Sequence, residues 1–514
     1  MNRKPIRLIT TALVATSAGA DQQSQFDGLP HQSLEAPYYG QHAGCAFADL
    51  NGDGAMDLIF AAGRHWVDQS FALINLGPEY DDDDDDMEFA GVKFSEALPI
   101  GPPGAYYQVD VSSSSKSDSS THYSTVLLVG GTCHVEEPNS FGSCNKGENT
   151  PARVVEVRMS TKDGGGCSIH DPYKPCSLEY TQMWQHPNPK GDRNGGFAIF
   201  NDQKMIALLG QGGLEVFQSM GSSTPKRSSD GQNTFIHTSY SSVFHHAPPT
   251  KTDPRSDYAR YAGFAAGSLP NRGGVLAAGR RSDYDAPQTD DNGNILGINK
   301  LWYEDEEHSF QSYTLSPTVS GEPYPGNPKY SIQSTNYAFA DIDGDGVNDL
   351  LEATFLYHTQ RVPGYPLPQR VHFLDKDGNV KKTLVVLEDE DAGRSVTTGQ
   401  IFSDSPLPDV VFASATGVVT LFANLGVDEN SGKFRGLEQR HQLSVGTDEC
   451  EVRDVVVTKL AQESRSGRCW VGIVCAVTCG VDNMGKNHIF YVEGDRGVCY
   501  NGKDDTLVST ERVI

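Results

Sequence analysis

The sequence predicts an all-β fold in which seven small sheets stand in a ring. Three observations carry that expectation. The chain is rich in turn formers, with 53 glycines and 28 prolines in 514 residues, and no long apolar helix period stands out. An acid-and-glycine phrase occurs twice, over residues 47–60 and 339–352. Around it, a unit of three apolar strands joined by Gly/Asp-rich turns recurs along the chain, and units of that kind bury their faces only against neighbours.

Taken in order, the first unit runs from Ala43 through residues 57–63 to residues 71–77, where it ends on Asn75-Leu76-Gly77. The second uses residues 106–111, 126–131 and 154–157; the third 196–200, 205–210 and 214–217; the fourth 262–267, 274–279 and 299–303. The fifth holds the second acid-and-glycine phrase and continues to residues 370–374. The sixth is read from 399–402, 409–413 and 418–422, and the seventh from 454–457, 470–474 and 488–492. Each run is short, apolar and rich in β-branched or aromatic residues, as strands are. Seven units suit a toroid, in which every sheet has a neighbour on both faces.

The repeated phrase has the donor spacing of a hard-cation loop. Oxygens fall at positions 1, 3, 5 and 9: Asp49, Asn51, Asp53 and Asp57 in the first copy, Asp341, Asp343, Asp345 and Asp349 in the second. The carbonyl at position 7, Ala55 or Val347, can add another. Many flexible oxygens on one short loop favour calcium over magnesium, and four carboxylates against three predict tighter binding at the second loop. The second copy also fits an EF-hand pattern, with Gly346 at position 6 and Glu352 at position 12. An EF-hand needs flanking helices, and the flanks here are β-prone.

The phrase Phe-Ala-Asp-x-Asn/Asp-Gly-Asp-Gly-x-x-Asp-Leu resembles the FG-GAP/VCBS-type repeat of integrin α-chain-like β-propellers. The resemblance implies a seven-bladed β-propeller, with calcium in the loop between two strands of the first and fifth blades. Residues 263–279 resemble the same phrase without its acidic loop, and the remaining units are degenerate. The expected organisation is a signal peptide at 1–20, a lead-in at 21–42, the propeller at 43–498, and a C-terminal segment at 499–514 that could close the ring.

A basic start (Arg3, Lys4, Arg7), an apolar run and Ala18-Gly19-Ala20 read as a secretory signal, so a secreted, extracellular protein is expected. The net charge of −26 argues against nucleic acid as partner, and no later stretch has the length of a membrane span. Ten cysteines fit an oxidising compartment; Cys133 with Cys144 and Cys167 with Cys176 are the simplest pairs. Polar insertions separate the units, among them the acidic run Asp81–Asp86 and a serine-rich stretch after Asp110.

Other candidate chemistry is thin. Asp110-Val111-Ser112-Ser113-Ser114 fits the D-x-S-x-S of a metal-dependent adhesion site, which belongs to a different fold, and Lys190-Gly191-Asp192 is a tripeptide common by chance. His170, His186, His245 and His246 could act as bases, yet no G-x-S-x-G nucleophile accompanies them, and histidines in such loops read as surface residues. No catalytic residues are assigned. The expected function is a non-catalytic, calcium-binding module for an extracellular protein or glycan. The alternative is a propeller-fold enzyme of lyase or dehydratase type acting on carbohydrate.

Overall fold

The computed structural model describes residues 29–494, apart from 35–41, 64–65, 82–87, 115–121, 134–144, 161–176, 190–191, 201–202, 211–212, 223–237, 247–259, 282–299, 306–308, 315–322, 325–326, 357–363, 390–392, 446–449, 463–467 and 479–486. Strand β1 (His31–Leu34) comes first. Blade 1 follows with β2 (His42–Ala48), β3 (Asp57–Ala62) and β4 (Phe71–Leu73), then the hairpin β5 (Asn75–Asp81) and β6 (Glu88–Phe94), then β7 (Leu98–Pro99). Blade 2 is β8 (Tyr106–Ser114), β9 (His122–Gly130), β10 (Arg153–Ser160) and β11 (Ser177–Gln185). Blade 3 is β12 (Asp192–Phe200), β13 (Gln203–Gly210), β14 (Gly213–Ser222) and β15 (Thr238–His246). Blade 4 is β16 (Arg260–Leu269), β17 (Gly273–Arg281), β18 (Lys300–Glu304) and β19 (Phe310–Thr314).

A short hairpin, β20 (Pro323–Tyr324) and β21 (Asn327–Ser331), precedes blade 5, which is β22 (Gln333–Ala340), β23 (Asp349–Phe355), β24 (Leu367–Leu374) and β25 (Val380–Asp389). Blade 6 is β26 (Gly393–Gly399), β27 (Asp409–Ser414), β28 (Val418–Asn424) and β29 (Leu437–Ser444). Blade 7 is β30 (Glu451–Gln462), β31 (Cys469–Thr478) and β32 (Asn487–Gly494), completed by β1. Every blade is a four-stranded antiparallel sheet. Each inner strand neighbours the next around the ring, and β30 returns to β2. The chain is a seven-bladed β-propeller.

The core follows from that arrangement. Seven buried apolar clusters map one to one onto the seven boundaries between blades. Leu58, Phe60 and Phe71 of blade 1 pack with Val474, Ile489 and Tyr491 of blade 7, for example, and Val275 and Leu301 of blade 4 pack with Tyr337 and Leu350 of blade 5. Strands buried on both faces read as continuous apolar runs, and β3, β23 and β27 are buried along their whole lengths. Blades approach closely where the residue is small. A Cβ on Gly274 of blade 4 would lie 1.8 Å from the Ile199 carbonyl of blade 3.

Every inner strand also carries a register shift near its start, between His42/Gly44, Tyr106/Gln108, Asp192/Asn194, Tyr261/Gly263, Ser334/Asn336, Gly393/Ser395 and Val452/Asp454. A bulge sharpens local twist and re-aims the following side chain. Several of those re-aimed residues bridge blades. Asp454 accepts from the Cys45 N–H (3.2 Å) and from the Ser395 hydroxyl (2.9 Å), and Ser395 in turn accepts from the Asn336 amide (3.1 Å).

Two boundaries differ from the sequence reading. Ring closure is made by β1, from within the segment expected to be a lead-in: His31 pairs with Phe490 and Leu34 with Asn487. Only Leu34 of its four side chains is buried, so its sequence lacks a strand's apolar signature. Residues 499–514 and the signal at 1–20 lie outside the described residues. In blade 6 the inner strand spans Gly393–Gly399, and Gln400, Ile401 and Phe402 belong to the loop after it, where they are held by side-chain bonds described below.

Cys475 is a buried thiol, so the ten cysteines do not all pair; Cys144, Cys167 and Cys176 lie outside the described residues. The acidic run begins at Asp81, where β5 ends, and Asp82–Asp86 lie outside the described residues.

Candidate metal loops and the clamps beneath them

Both acid-and-glycine phrases form the turn between the inner and second strands of their blades, β2–β3 and β22–β23. Strands on both sides dispose of the EF-hand reading. Glu352 sits within β23, fully buried and turned to His372, whose Nε2 lies 2.8 Å from its Oε2, and Ser334 completes the set through its hydroxyl. Burial pushes the Glu352 carboxyl up, but the His372 and Ser334 bonds and the nearby Arg370 charge together hold it below its ordinary range.

The two loops share one hydrogen-bond pattern. In the first, Asp49 Oδ1 accepts from Gly52 N (2.6 Å) and Asp53 N (3.2 Å), and its Oδ2 accepts from Gly54 N (2.9 Å). In the second, Asp341 Oδ1 accepts from Gly344 N (2.8 Å) and Asp345 N (3.1 Å), and its Oδ2 from Gly346 N (2.9 Å). Gly52, Gly54, Gly344 and Gly346 all take positive φ, between 75° and 85°, which is what winds the chain around the position-1 carboxylate. Position 5 repeats as well: Asp53 Oδ1 accepts from Ala55 N at 2.8 Å, and Asp345 Oδ1 from Val347 N at 2.9 Å.

Position 9 lies deeper. Asp57 is fully buried; its Oδ2 accepts from Leu50 N and its Oδ1 from Asn75 N, both at 2.8 Å. Asp349 repeats this with Ile342 N and Leu374 N, both at 3.1 Å. Burial pushes both carboxyls up to about 8, against the pull of those backbone bonds and reinforced by the loop aspartates above them. Asp349 therefore ties its loop to β24, the third strand of blade 5, and Asp57 ties its loop to Asn75 at the start of β5, just beyond the third strand of blade 1.

Asp409 shows that this tie stands without an acidic loop. It begins β27 in blade 6, where Oδ2 accepts from Ile401 N (2.8 Å) and Phe402 N (2.7 Å) and Oδ1 from Asn424 N (2.8 Å). Burial lifts it to about 6. The loop above has no acidic set; the Gln400 amide fills it, donating to the carbonyls of Phe402 (2.7 Å) and Ser405 (2.9 Å). A matching asparagine completes the clamp. Asn75 donates to the Leu460 carbonyl of blade 7 (2.7 Å), and Asn424 to the Ile342 carbonyl of blade 5 (2.9 Å). The signal was present in the sequence as Asn-Leu-Gly at 75–77 and 424–426, with the glycine N–H capping the asparagine Oδ1 at 2.9 Å in both.

The loops are also wedges between blades. Leu50 packs into the boundary with blade 2 and Met56 into that with blade 7. Ile342 packs toward blade 6 and Val347 toward blade 4. Ligand oxygens of Asp341, Asp343 and Asp345 converge to within 4.8 Å of one another. The donor set consists only of hard oxygens, and at the second loop an ammonium, Lys381 Nζ, stands 2.6 Å from Asp345 Oδ2. Oxygen donors closing on a cationic group fit a hard divalent cation. Asp49, Asn51, Asp53 and Asp57, with the Ala55 carbonyl, would hold one ion; Asp341, Asp343, Asp345 and Asp349, with the Val347 carbonyl, would hold the other.

The remaining candidates resolve differently. Asp110 is an interblade clamp and not part of an adhesion-type metal site: its Oδ2 accepts from Phe197 N of blade 3 at 2.8 Å. His186 is no surface histidine. It is 2 % exposed, packed against Trp184 and Phe217, with Nε2 3.4 Å from Glu215. His245 lies on the exposed outer strand β15; His170, Lys190 and Gly191 lie outside the described residues.

No protein-family model matches the chain, and no curated protein matches it. Among solved structures it is similar to Sqt1 of Saccharomyces cerevisiae, at 9 % identity over 90 % of this chain and 99 % of that one, with a TM-score of 0.37. It is also similar to the BP39L lectin of Burkholderia pseudomallei, at 12 % identity over 88 % and 96 % of the two chains, with a TM-score of 0.42. Raptor of Chaetomium thermophilum matches at 10 % identity over 90 % of this chain and 29 % of its own, with a TM-score of 0.38.

Proposed function

We propose that the chain is a secreted, calcium-stabilised propeller of the FG-GAP/VCBS type that acts as a non-catalytic binding module for an extracellular protein or glycan. The observation that carries the reading is the repetition, in two blades 292 positions apart, of one hydrogen-bond pattern around the position-1 carboxylate, with the oxygens of Asp341, Asp343 and Asp345 converging at the second. Calcium at each loop would neutralise three or four carboxylates and pin the wedge between neighbouring blades.

Binding is assigned to the opposite end of the ring. The metal loops occupy the end where inner strands finish, which leaves the end where they begin for a partner. That end carries the partly buried Tyr107 and Trp66, the Tyr107 hydroxyl donating to the Thr132 carbonyl, and Glu451, 29 % exposed, between Arg394 and Arg453, whose side chains are each 12 % exposed. Aromatic and arginine side chains on a rigid face are the groups that most often anchor a partner. Calcium would act on recognition only through the rigidity of the ring.

The test is a screen of the mature chain on glycan and protein arrays, with calcium and with chelator. The expected result is retention of a glycan or protein ligand, weakened by Arg453→Ala or Tyr107→Ala. Turnover of a carbohydrate substrate by the same preparation would contradict the non-catalytic reading.

A further inference from the structure

The two loops differ in the partner of one oxygen. At position 5, Oδ1 serves the backbone in both, and Oδ2 is the oxygen left to face an ion. In the first loop Asp53 Oδ2 accepts from the Asn51 side-chain amide at 2.8 Å, a neutral donor from within the loop. In the second, position 3 is Asp343, which has no donor to offer, and Asp345 Oδ2 takes the Lys381 ammonium at 2.6 Å. Lys381 comes from β25, the outermost strand of the same blade, and its side chain is 43 % exposed.

We infer that Lys381 is a tethered cation that competes with the divalent ion at the second loop, so that the first loop, with fewer carboxylates, is the tighter calcium site. The inference rests on the calcium reading of the loops. An ion held by Asp341, Asp343 and Asp345, whose oxygens lie within 4.8 Å of one another, would stand beside the ammonium that already holds one of them. Binding then requires Lys381 to swing into solvent, or the ion to bear a like charge at close range. The Asn51 amide imposes no such charge on the first loop. Carboxylate count alone gives the reverse order.

The experiment is a calcium titration of the full mature chain in competition with a chromophoric chelator, which reads two binding phases directly. Lys381→Met and Lys381→Gln, made in the otherwise unchanged chain, are expected to tighten the weaker phase by about ten-fold and leave the stronger one in place. Asp49→Asn with Asp53→Asn should abolish the stronger phase, and Asp341→Asn with Asp345→Asn the weaker. Two calcium phases that neither lysine variant shifts, or a stronger phase lost with the second pair of substitutions, would overturn the inference while leaving the calcium reading intact. A wild-type chain with no calcium phase would overturn both.

Discussion

Asp57, Asp349 and Asp409 occupy the same place in three blades and make the same backbone bonds, although only the first two follow an acidic loop. The sequence reading assigned position 9 only as a ligand, since the acid-and-glycine phrase is visible and the N–H groups it serves are not. Asp409 isolates the structural part. Asp409→Ala leaves the N–H groups of Ile401, Phe402 and Asn424 without an acceptor, and should cost about 3–5 kcal/mol in chemical denaturation. Asp409→Asn keeps an oxygen and should cost less. His42 sets a second residue-scale prediction. It is fully buried, edge-on to Phe71, with Nδ1 3.0 Å from Asn487 Oδ1, and burial pulls its pKa down to about 4 against that bond. The unfolded chain therefore takes up the proton first. Stability from the neutral ring is fully present above about 6.5 and is lost as pH falls toward 4, with a span of roughly 3 kcal/mol. His42→Gln should flatten that limb of a pH series of urea melts.

Among elements, the strands were the most legible, because a sheet buried on both faces writes itself as an uninterrupted apolar run. Residues 57–62, 205–210 and 409–414 were read almost to their ends for that reason. Elements stabilised by what they lean on were not. Strand β1 owes its place to pairing with β32, and nothing in His31-Gln32-Ser33 announces it. In the β5–β6 hairpin, residues 75–77 were read as the end of the first unit and Asp81–Asp86 as a surface loop, but the hairpin leaves blade 1 and lies across blade 7. Phe89 stacks on Trp470 at 4.0 Å and meets Tyr491 edge-on, and Val92 N donates to the Tyr491 hydroxyl (3.2 Å), which donates to Gln32 of β1 (2.5 Å). The hairpin thus straps the blade that closes the ring. Phe89→Ala should cost about 3 kcal/mol and shift Trp470 emission to the red, a change that a substitution in the hairpin alone would not produce if the two were not in contact.

At the scale of the whole molecule, seven interblade clusters mean that no blade has a core of its own, and the ring is stable only as a closed set. A loop that wedges between blades then acts on two boundaries at once. This is why two short phrases in a chain of 514 residues bear on the stability of the whole. The number of blades was legible because the unit repeats; the way the ring closes, and the polar belt of Asp454, Ser395 and Asn336 that links inner strands, depend on residues far apart in sequence. Metal-free, the two fully buried carboxyls favour their protonated forms in the fold. Their cost is absent below the ordinary aspartate range, grows as pH rises, and is complete above about 8. A bound cation would remove it.

The most direct measurement is therefore a calorimetric melt of the chain at pH 8, with saturating calcium and with excess chelator at matched ionic strength. Two sites filled at a hundred times their dissociation constants add about 2.7 kcal/mol each, which for a ring of this size raises the midpoint by about 5 °C. The rise should be smaller in a chain carrying Asp49→Asn with Asp53→Asn, and absent when Asp341→Asn and Asp345→Asn are added. Coincident melts of the wild-type chain with and without calcium would contradict the account.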